Sequence, residues 1–283
     1  MRNAFIDELV THATHDDRVV LIVGDLGYSV VEPFAERFPD RFFNAGVAEQ
    51  NMIGMAAGLA SEGCWVFAYS IANFPTFRCA EQLRNDIDYH GLPVTVVAVG
   101  GGMAYGNLGY SHHAVQDYGL IRLLPDTLIC APGDPQEVRA CIRLLANAQR
   151  PAYLRLGKAG EVSLHAKPPT IEVGQWLPVR HGDGSRRTLL CTGTRLAEAV
   201  RRSESDPQYK GYAVHSLPAW GAREKAMQVA QLSRWAEVVT LEDHYADGGF
   251  GSWLLEARAL ADLPVRIKLD ALTPVRPHAH VTV

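Results

Sequence analysis

Long apolar runs alternate with helical patterns along most of the chain. The runs at 18–25, 64–70 and 92–102 are apolar almost throughout, as expected for strands that are buried on both faces. Helical periodicity lies between them, most clearly at 47–62, where Gly63 provides a typical helix C-cap. The alternation predicts an α/β fold of mostly parallel sheets flanked by helices.

The alternation is interrupted at 157–187, where prolines, glycines and charged residues accumulate. We interpret this stretch as a linker containing an edge hairpin. The sequence therefore predicts two domains of the same α/β type. The first spans 1–158, the linker spans 159–185, and the second domain spans 186–283.

Composition excludes several classes of protein. The net charge of -4 leaves no basic excess for a nucleic-acid site. No run reaches the roughly 18 apolar residues of a membrane span, and the N-terminus lacks the apolar core of a signal peptide. The five cysteines are scattered without a CxxC pair, which indicates free buried thiols in a reducing compartment. We expect a cytoplasmic protein.

Polar residues and glycines follow the predicted strands at the points where these strands end. In open parallel sheets, ligands bind beyond the carboxyl ends of the strands, so a site is expected at this edge. The segments concerned are Asp25, Asn44–Glu49, Ser70–Phe77, Gly100–His113 and Arg155–Lys158.

Four motifs make the expectation specific. They are NAGVAEQNMIGMAAGLASEG at 44–63, YSIANFPTFRCAEQLRND at 69–86, the glycine-rich stretch ending in SHHAVQDYGLIRLLPDT at 100–127, and LEDHYADGGFGSWLLEA at 241–257. In order and spacing, they resemble the pyrimidine-binding and C-terminal domains of transketolases. The resemblance covers the whole chain, whereas the N-terminal third of that family has no counterpart in it. It implies the C-terminal subunit of a split transketolase, which transfers a two-carbon ketol unit from a ketose or ketose phosphate to an aldose-type acceptor.

By this resemblance, Glu49 is the catalytic carboxylate. Thiamine diphosphate becomes a nucleophile when its aminopyrimidine, as the imino tautomer, removes the thiazolium C2 proton. A carboxyl group hydrogen-bonded to ring N1′ favours that tautomer, and it must sit on a rigid element. Phe74 and Phe77 would flank the pyrimidine ring by offset stacking. Asp25, in GDLGYS, matches an aspartate that lies near the cofactor.

The resemblance also implies substrate-binding residues. His112 matches a histidine that contacts the donor hydroxyl, and an imidazole is a side chain that can take up or release a proton near neutral pH. His113 is its neighbour in the same motif. Ser29 and Lys158 match positions that hold a substrate phosphate, although Lys158 replaces an arginine and so offers a point charge in place of a fork.

Two departures concern the acceptor. The family has His-Asp-Ser where this chain has Gly100–Gly102, and an acidic residue where it has Leu108. Because those residues hold the acceptor, their absence suggests a different or unphosphorylated acceptor. Gln116 also replaces a residue that is usually acidic.

The diphosphate end of the cofactor has no visible site. Gly182–Asp183–Gly184 looks like the start of the family's metal motif, but no asparagine follows it, and we interpret it as a hairpin turn. The resemblance therefore implies a partner N-terminal subunit that binds the diphosphate and Mg²⁺ or Ca²⁺. We expect an α2β2 heterotetramer with a β–β contact, sharing thiamine diphosphate between chains.

Three alternatives stay open at this stage. The β subunit of a 2-oxoacid dehydrogenase has the same domain order and donates a glutamate. A deoxyxylulose-phosphate synthase shares the S-H-x-x-x-x-D spacing. A noncatalytic subunit could keep the fold without the chemistry, since fold does not fix function. The donor, the acceptor, the partner and the pathway cannot be derived from the residues.

Overall fold

The computed structural model describes residues 1–274, which form two α/β units with twelve strands and ten α-helices. The strands are Val19–Val23 (β1), Phe42–Asn44 (β2), Trp65–Ile71 (β3), Val94–Val99 (β4), Leu128–Cys130 (β5), Ala152–Leu156 (β6), Leu177–Arg180 (β7), Arg187–Cys191 (β8), Ala213–Ser216 (β9), Ala219–Trp220 (β10), Glu237–Tyr245 (β11) and Arg266–Leu272 (β12).

The helices separate most of the strands, as the sequence predicts. They are Arg2–Ala13 (α1), Glu32–Arg37 (α2), Glu49–Ser61 (α3), Asn73–Phe77 (α4), Ala80–Gln82 (α5), Asp117–Ile121 (α6), Pro135–Ala148 (α7), Leu196–Ser205 (α8), Gln228–Leu232 (α9) and Phe250–Ala259 (α10). Between β3 and β4 the chain forms the short helices α4 and α5, followed by a π-helical segment, Leu83–Asp88. Within residues 1–274, no helix is long and apolar enough to cross a membrane.

The larger sheet has the order β10-β5-β6-β4-β3-β1-β2, and all its pairs are parallel except β10 with β5. Both faces are covered. On β1, Leu21 belongs to the core cluster that contains Phe5 of α1 and Ile142 of α7, whereas the next residue, Ile22, belongs to the cluster that contains Ile53 of α3. The uninterrupted apolar sequence of β1 follows from this burial on two faces.

The smaller sheet has the order β12-β11-β8-β9-β7, with β7 antiparallel to β9. The predicted hairpin around Gly182–Gly184 is wrong, because β9 lies between β7 and β8 and pairs with both. The segment is a turn, but it connects two strands that are not neighbours. Sequence pattern detects the turn residues but not which strand inserts between the two.

The two units share one apolar core. β10 lies in the second half of the sequence but pairs with β5 of the larger sheet. Its Trp220 packs against Phe250 and Trp253 of α10, with ring centroids 5.3 and 5.0 Å away, and against Tyr118 of α6 at 5.3 Å. All four aromatic side chains are buried. The units are therefore held together by burial of apolar surface as well as by β10.

Candidate functional site

Glu49 is the first residue of α3, just beyond the carboxyl end of β2. Its side chain is 5% exposed, and its Oε1 accepts a hydrogen bond of 2.9 Å from Nη1 of Arg78. A groove opens beside it, lined by Val47, Ala48 and other residues of the first turn of α3. A buried carboxylate on a helix, at the mouth of a groove, can form a directed hydrogen bond to a ligand that enters the groove.

Arg78 and Phe74 connect Glu49 to His112. The guanidinium of Arg78 lies 4.1 Å from the ring centroid of Phe74, and the Phe74 ring lies 5.1 Å from that of His112, edge to face. Phe74 is therefore in the same cluster as both predicted catalytic residues. Phe77 ends the same short helix and is half exposed, and within residues 1–274 no ring contact joins it to Phe74 or His112.

His112 lies in a loop that follows β4 and is closed at its base. An isolated bridge pairs Gly102 with Ala114, and Nδ2 of Asn73 donates to the carbonyl oxygen of Ser111 at 2.9 Å. The Oγ of Ser111 lies 3.0 Å from Nδ1 of His112, which orients the ring. His113 instead turns back to its own loop, with Nε2 3.3 Å from the carbonyl oxygen of Gly106. The two adjacent histidines therefore have different surroundings: His112 lies beside Phe74, whereas His113 contacts its own loop.

Asp25 follows β1 in a left-handed conformation, with φ of 55°. Its Oδ1 accepts hydrogen bonds from Nδ2 of Asn44 at 3.0 Å and from the hydroxyl of Tyr28 at 3.1 Å. The Oδ1 of Asn44 in turn accepts from the backbone N–H groups of Asp25 and Gly46. Asp25 therefore fixes the turn that leads from β2 to Glu49, and it also holds Tyr28 at the edge of a neighbouring cleft.

Ser29 and Lys158 line this neighbouring cleft, which has a volume of about 470 Å³. Arg2 and Arg139 line it too, and the sequence did not predict either of them. Arg139 is paired with Asp7 at 3.1 Å, whereas no carboxylate partner of Arg2 is found among the described residues. Arg2 was missed because it begins a helix far from Lys158 in sequence, and only the fold brings the two cations to one cleft.

The cationic cleft connects to His112 through Tyr105. The Nζ of Lys158 lies 4.9 Å from the ring centroid of Tyr105, and that ring lies 6.3 Å from the ring of His112. The structure thus brings Glu49, Phe74, His112 and Lys158 into a continuous series of contacts at the sheet edge. Residues 1–274 contain no group of three or more His, Cys, Asp or Glu side chains arranged to hold a metal ion.

A buried ion network supports the His112 loop from below. Arg155, at the end of β6, donates from Nε to Asp117, from Nη1 to Asp243 and from Nη2 to the carbonyl oxygen of Ala114, each at 2.7 Å. Burial alone would raise the pKa of Asp243, but the Arg155 guanidinium holds it well below its usual range. His244 also belongs to the network: burial opposes its charge, yet hydrogen bonds to Asp243 and Glu242 raise its pKa.

Two α/β units with a common core, and polar side chains gathered at the carboxyl edge of the larger sheet, define an α/β protein of the class whose ligands bind at that edge. The sequence pattern of the family "Transketolase, pyrimidine binding domain" matches residues 1–160. The chain belongs to the transketolase family.

Relatives of similar length support this assignment. A protein of Methanocaldococcus jannaschii, named as a candidate transketolase C-terminal section, is 34% identical over 262 residues, which are 92% of this chain and 82% of the relative. One subunit of the apulose-4-phosphate transketolase of Phocaeicola vulgatus is 30% identical over 276 residues, covering 94% of this chain and 86% of the relative. The 6-deoxy-6-sulfo-D-fructose transketolase subunit of a Clostridium species is 30% identical and is covered to 78%.

A solved structure described as a split gene transketolase, an inactive β4 tetramer, superposes with a TM-score of 0.84 at 30% identity. It matches 99% of this chain, which covers 91% of it. By contrast, 1-deoxy-D-xylulose-5-phosphate synthase of Clostridium perfringens is 29% identical, but the chain spans only 41% of that enzyme. The chain is thus similar over nearly its full length to separate C-terminal transketolase subunits.

Proposed function

We propose that this chain is the C-terminal subunit of a thiamine-diphosphate-dependent transketolase. It would transfer a two-carbon ketol unit from a ketose that carries a terminal anionic group to an aldose acceptor. The observation that carries the proposal is the series of contacts from Glu49 through Arg78 and Phe74 to His112, which joins a buried carboxylate beside a groove to an aromatic ring and a histidine.

The residues fit the aromatic end of the cofactor. When bound, thiamine diphosphate supplies a nucleophilic carbon that adds to a ketose carbonyl. Glu49 would hold a proton at ring nitrogen N1′, because its carboxylate is buried and fixed by the start of α3. Phe74 and Phe77 would bind the ring through their faces. Because Oε1 of Glu49 already accepts a hydrogen bond from Arg78, the ring nitrogen would bind the other carboxylate oxygen or displace Arg78.

His112 would donate or accept a proton at a substrate hydroxyl. Its Nδ1 is engaged by Ser111, which leaves Nε2 as the nitrogen available to a substrate. His113 is turned toward Gly106 and would play at most an indirect role. The proton transfer requires hydrogen-bond distance between Nε2 and the hydroxyl, which the position of His112 beside Phe74 is suited to provide.

The cationic cleft would bind the terminal anion of the substrate. Arg2, Ser29 and Lys158 line it, and Tyr105 links it to His112. The names of two relatives refer to a sugar phosphate and to a sulfonated sugar, and both carry an anion at one end. An arginine and a lysine recognise phosphate and sulfonate through the same charge-assisted hydrogen bonds. We therefore propose a terminal phosphate or sulfonate as the recognised group.

A partner chain would complete the site. Three relatives of this length are named as a C-terminal section or as separate subunits, and the Gly182–Gly184 turn lacks the asparagine of a metal motif. We propose that an N-terminal subunit binds the diphosphate with Mg²⁺ or Ca²⁺, in an α2β2 heterotetramer with contact between the two copies of this chain.

Calorimetry would test the shared site. Thiamine diphosphate with Mg²⁺ is titrated into this chain alone, into the N-terminal subunit alone, and into the mixed pair. We expect tight binding only to the pair, and ketol transfer from a ketose phosphate only by the pair. Metal-dependent binding of comparable affinity by this chain alone would overturn the two-chain proposal.

Glu49→Gln in the reconstituted pair tests the chemistry separately. The amide is nearly isosteric, so the pair should still assemble and bind the cofactor, while ketol transfer falls by about 100-fold or more. Glu62→Gln, the same change at an exposed residue just after the end of α3, is the matched control and should change the rate little. An unchanged rate in the Glu49 variant would identify a noncatalytic subunit.

A further inference from the structure

The three glycines after β4 each make room for one particular group. A Cβ added to Gly100 would lie 2.1 Å from Cε2 of Tyr105, one at Gly101 would lie 2.4 Å from the guanidinium carbon of Arg155, and one at Gly102 would lie 2.7 Å from the carbonyl oxygen of Asp243. The spaces beside Gly101 and Gly102 are occupied by Arg155 and Asp243, which are members of the buried ion network. The space beside Gly100 admits the ring of Tyr105, which could not occupy this place if residue 100 carried a side chain.

Tyr105 stands where the cationic cleft meets the proposed reaction centre. Lys158 lies over its ring at 4.9 Å, and the His112 ring lies 6.3 Å away at an interplanar angle of 63°. Burial raises the pKa of the Tyr105 hydroxyl. The hydroxyl is therefore neutral near neutral pH and adds no charge that would repel an anionic substrate.

We propose that Tyr105 is a specificity-determining residue, whose ring forms the wall between His112 and the cleft of Arg2, Ser29 and Lys158. This inference rests on the proposed function and deepens it. The wall favours substrates that pass beside it as an extended open chain, with the carbonyl carbon near His112 and the terminal phosphate or sulfonate in the cleft. Acceptors too short to reach the ring are indifferent to it. Gly100 and Tyr105 act together, because the missing side chain of Gly100 provides the space that the Tyr105 ring occupies.

The ring also orients the ammonium group of Lys158. A cation over an aromatic face is held by the ring quadrupole, which restricts a long side chain that is otherwise free in solvent. With the ring removed, Lys158 loses this support and the wall opens. Both effects weaken the binding of the anionic end, and neither touches the transfer of the ketol unit itself.

The test uses the reconstituted pair and two acceptors, ribose 5-phosphate and glycolaldehyde, with one common ketose donor. For Tyr105→Ala we expect kcat/KM with ribose 5-phosphate to fall about 10-fold, mostly through KM, while the value with glycolaldehyde stays within about 2-fold. Tyr105→Phe keeps the ring and should behave like the wild type. A 6-deoxy-6-sulfo aldose run beside ribose 5-phosphate distinguishes sulfonate from phosphate as the preferred group.

Gly100→Ala is a second way to displace the Tyr105 ring. It leaves residue 105 intact but drives the ring from its place, so its substrate profile should match that of Tyr105→Ala. The double variant of Gly100→Ala and Tyr105→Ala should have the same ratio of kcat/KM for the two acceptors as Tyr105→Ala alone, because the ring is already absent. Thermal unfolding of each variant separates this effect from the backbone strain expected of alanine at φ of 80°.

The outcomes separate the two levels of the proposal. If the wild-type pair transfers no ketol unit to either acceptor, the proposed function fails. The specificity role proposed for Tyr105 then fails with it. If the wild type is active but Tyr105→Ala changes both acceptors equally, or neither, the proposed function stands and the role of Tyr105 is overturned. Additive effects of Gly100→Ala and Tyr105→Ala on the acceptor ratio would also contradict the joint action of Gly100 and Tyr105.

Discussion

Arg155→Met should destabilise the chain strongly, because it removes the centre of the buried ion network. The Arg155 side chain is 1% exposed and bonds to Asp117, Asp243 and the carbonyl oxygen of Ala114. Methionine fills much of the volume but leaves the buried carboxylate of Asp117 without a countercharge and Asp243 with His244 alone. Asp117 then keeps only the hydroxyl of Tyr153, and Asp243 keeps Thr194 and His244.

The expected magnitude follows from the burial of the charges. Breaking a buried ion pair by removal of one partner costs about 3–5 kcal/mol, since the remaining charge is left uncompensated. For a chain of this size, each kcal/mol lowers Tm by about 2–4 °C, so a decrease on the order of 10 °C is expected. The loss of the bond to Ala114 should also loosen the loop that carries His112.

Differential scanning calorimetry at neutral pH measures the effect, with Arg18→Met as the matched control. Arg18 pairs with Asp16 at 2.8 Å, but its side chain is 56% exposed, so its loss should cost less than about 1 kcal/mol. A further variant combines Arg155→Met with Asp117→Asn and Asp243→Asn and should recover part of the lost stability, because the carboxylates that Arg155 paired with are then neutral. The reasoning is refuted if Arg155→Met lowers Tm no more than Arg18→Met does.

Three further predictions concern catalysis, binding and pH. His112→Ala should lower kcat of the reconstituted pair by about 100-fold while His113→Ala lowers it far less, and equal losses would contradict the assignment of one catalytic histidine. Lys158→Ala and Arg2→Ala should each raise KM for a phosphorylated acceptor by about 10-fold or more, and unchanged KM values would remove the anion cleft from the proposal. Burial raises the pKa of Glu137 from 4.5 to about 7, so the folded state keeps a proton that the unfolded state has released in this window, and stability falls as the pH rises through it. Glu137→Gln should therefore raise Tm relative to the wild type more at pH 8 than at pH 5, and an equal difference at both pH values would contradict this.

The edge that carries the candidate site was accessible from sequence because its residues follow strands, and the resemblance to transketolases then selected individual residues at that edge. Parallel strands place their carboxyl ends at one edge, so Asp25, Glu49, Phe74 and His112 fall together once the strands are identified. Arg2 was not found, because no local pattern connects the first turn of α1 with Lys158. The same holds for Tyr105, whose position depends on the missing side chain of Gly100.

The sequence by itself determined most strands, most helices and the edge at which the polar residues gather, because hydrophobic periodicity and turn residues act over short distances. Only the tertiary structure decided which strands became neighbours. β9 inserts between β7 and β8, and β10 leaves the second unit to extend the larger sheet. The roles of Gly100–Gly102 also depended on it, since the groups that occupy their space come from distant parts of the chain. Pairing and close approach are properties of the packed chain, and no local pattern encodes them.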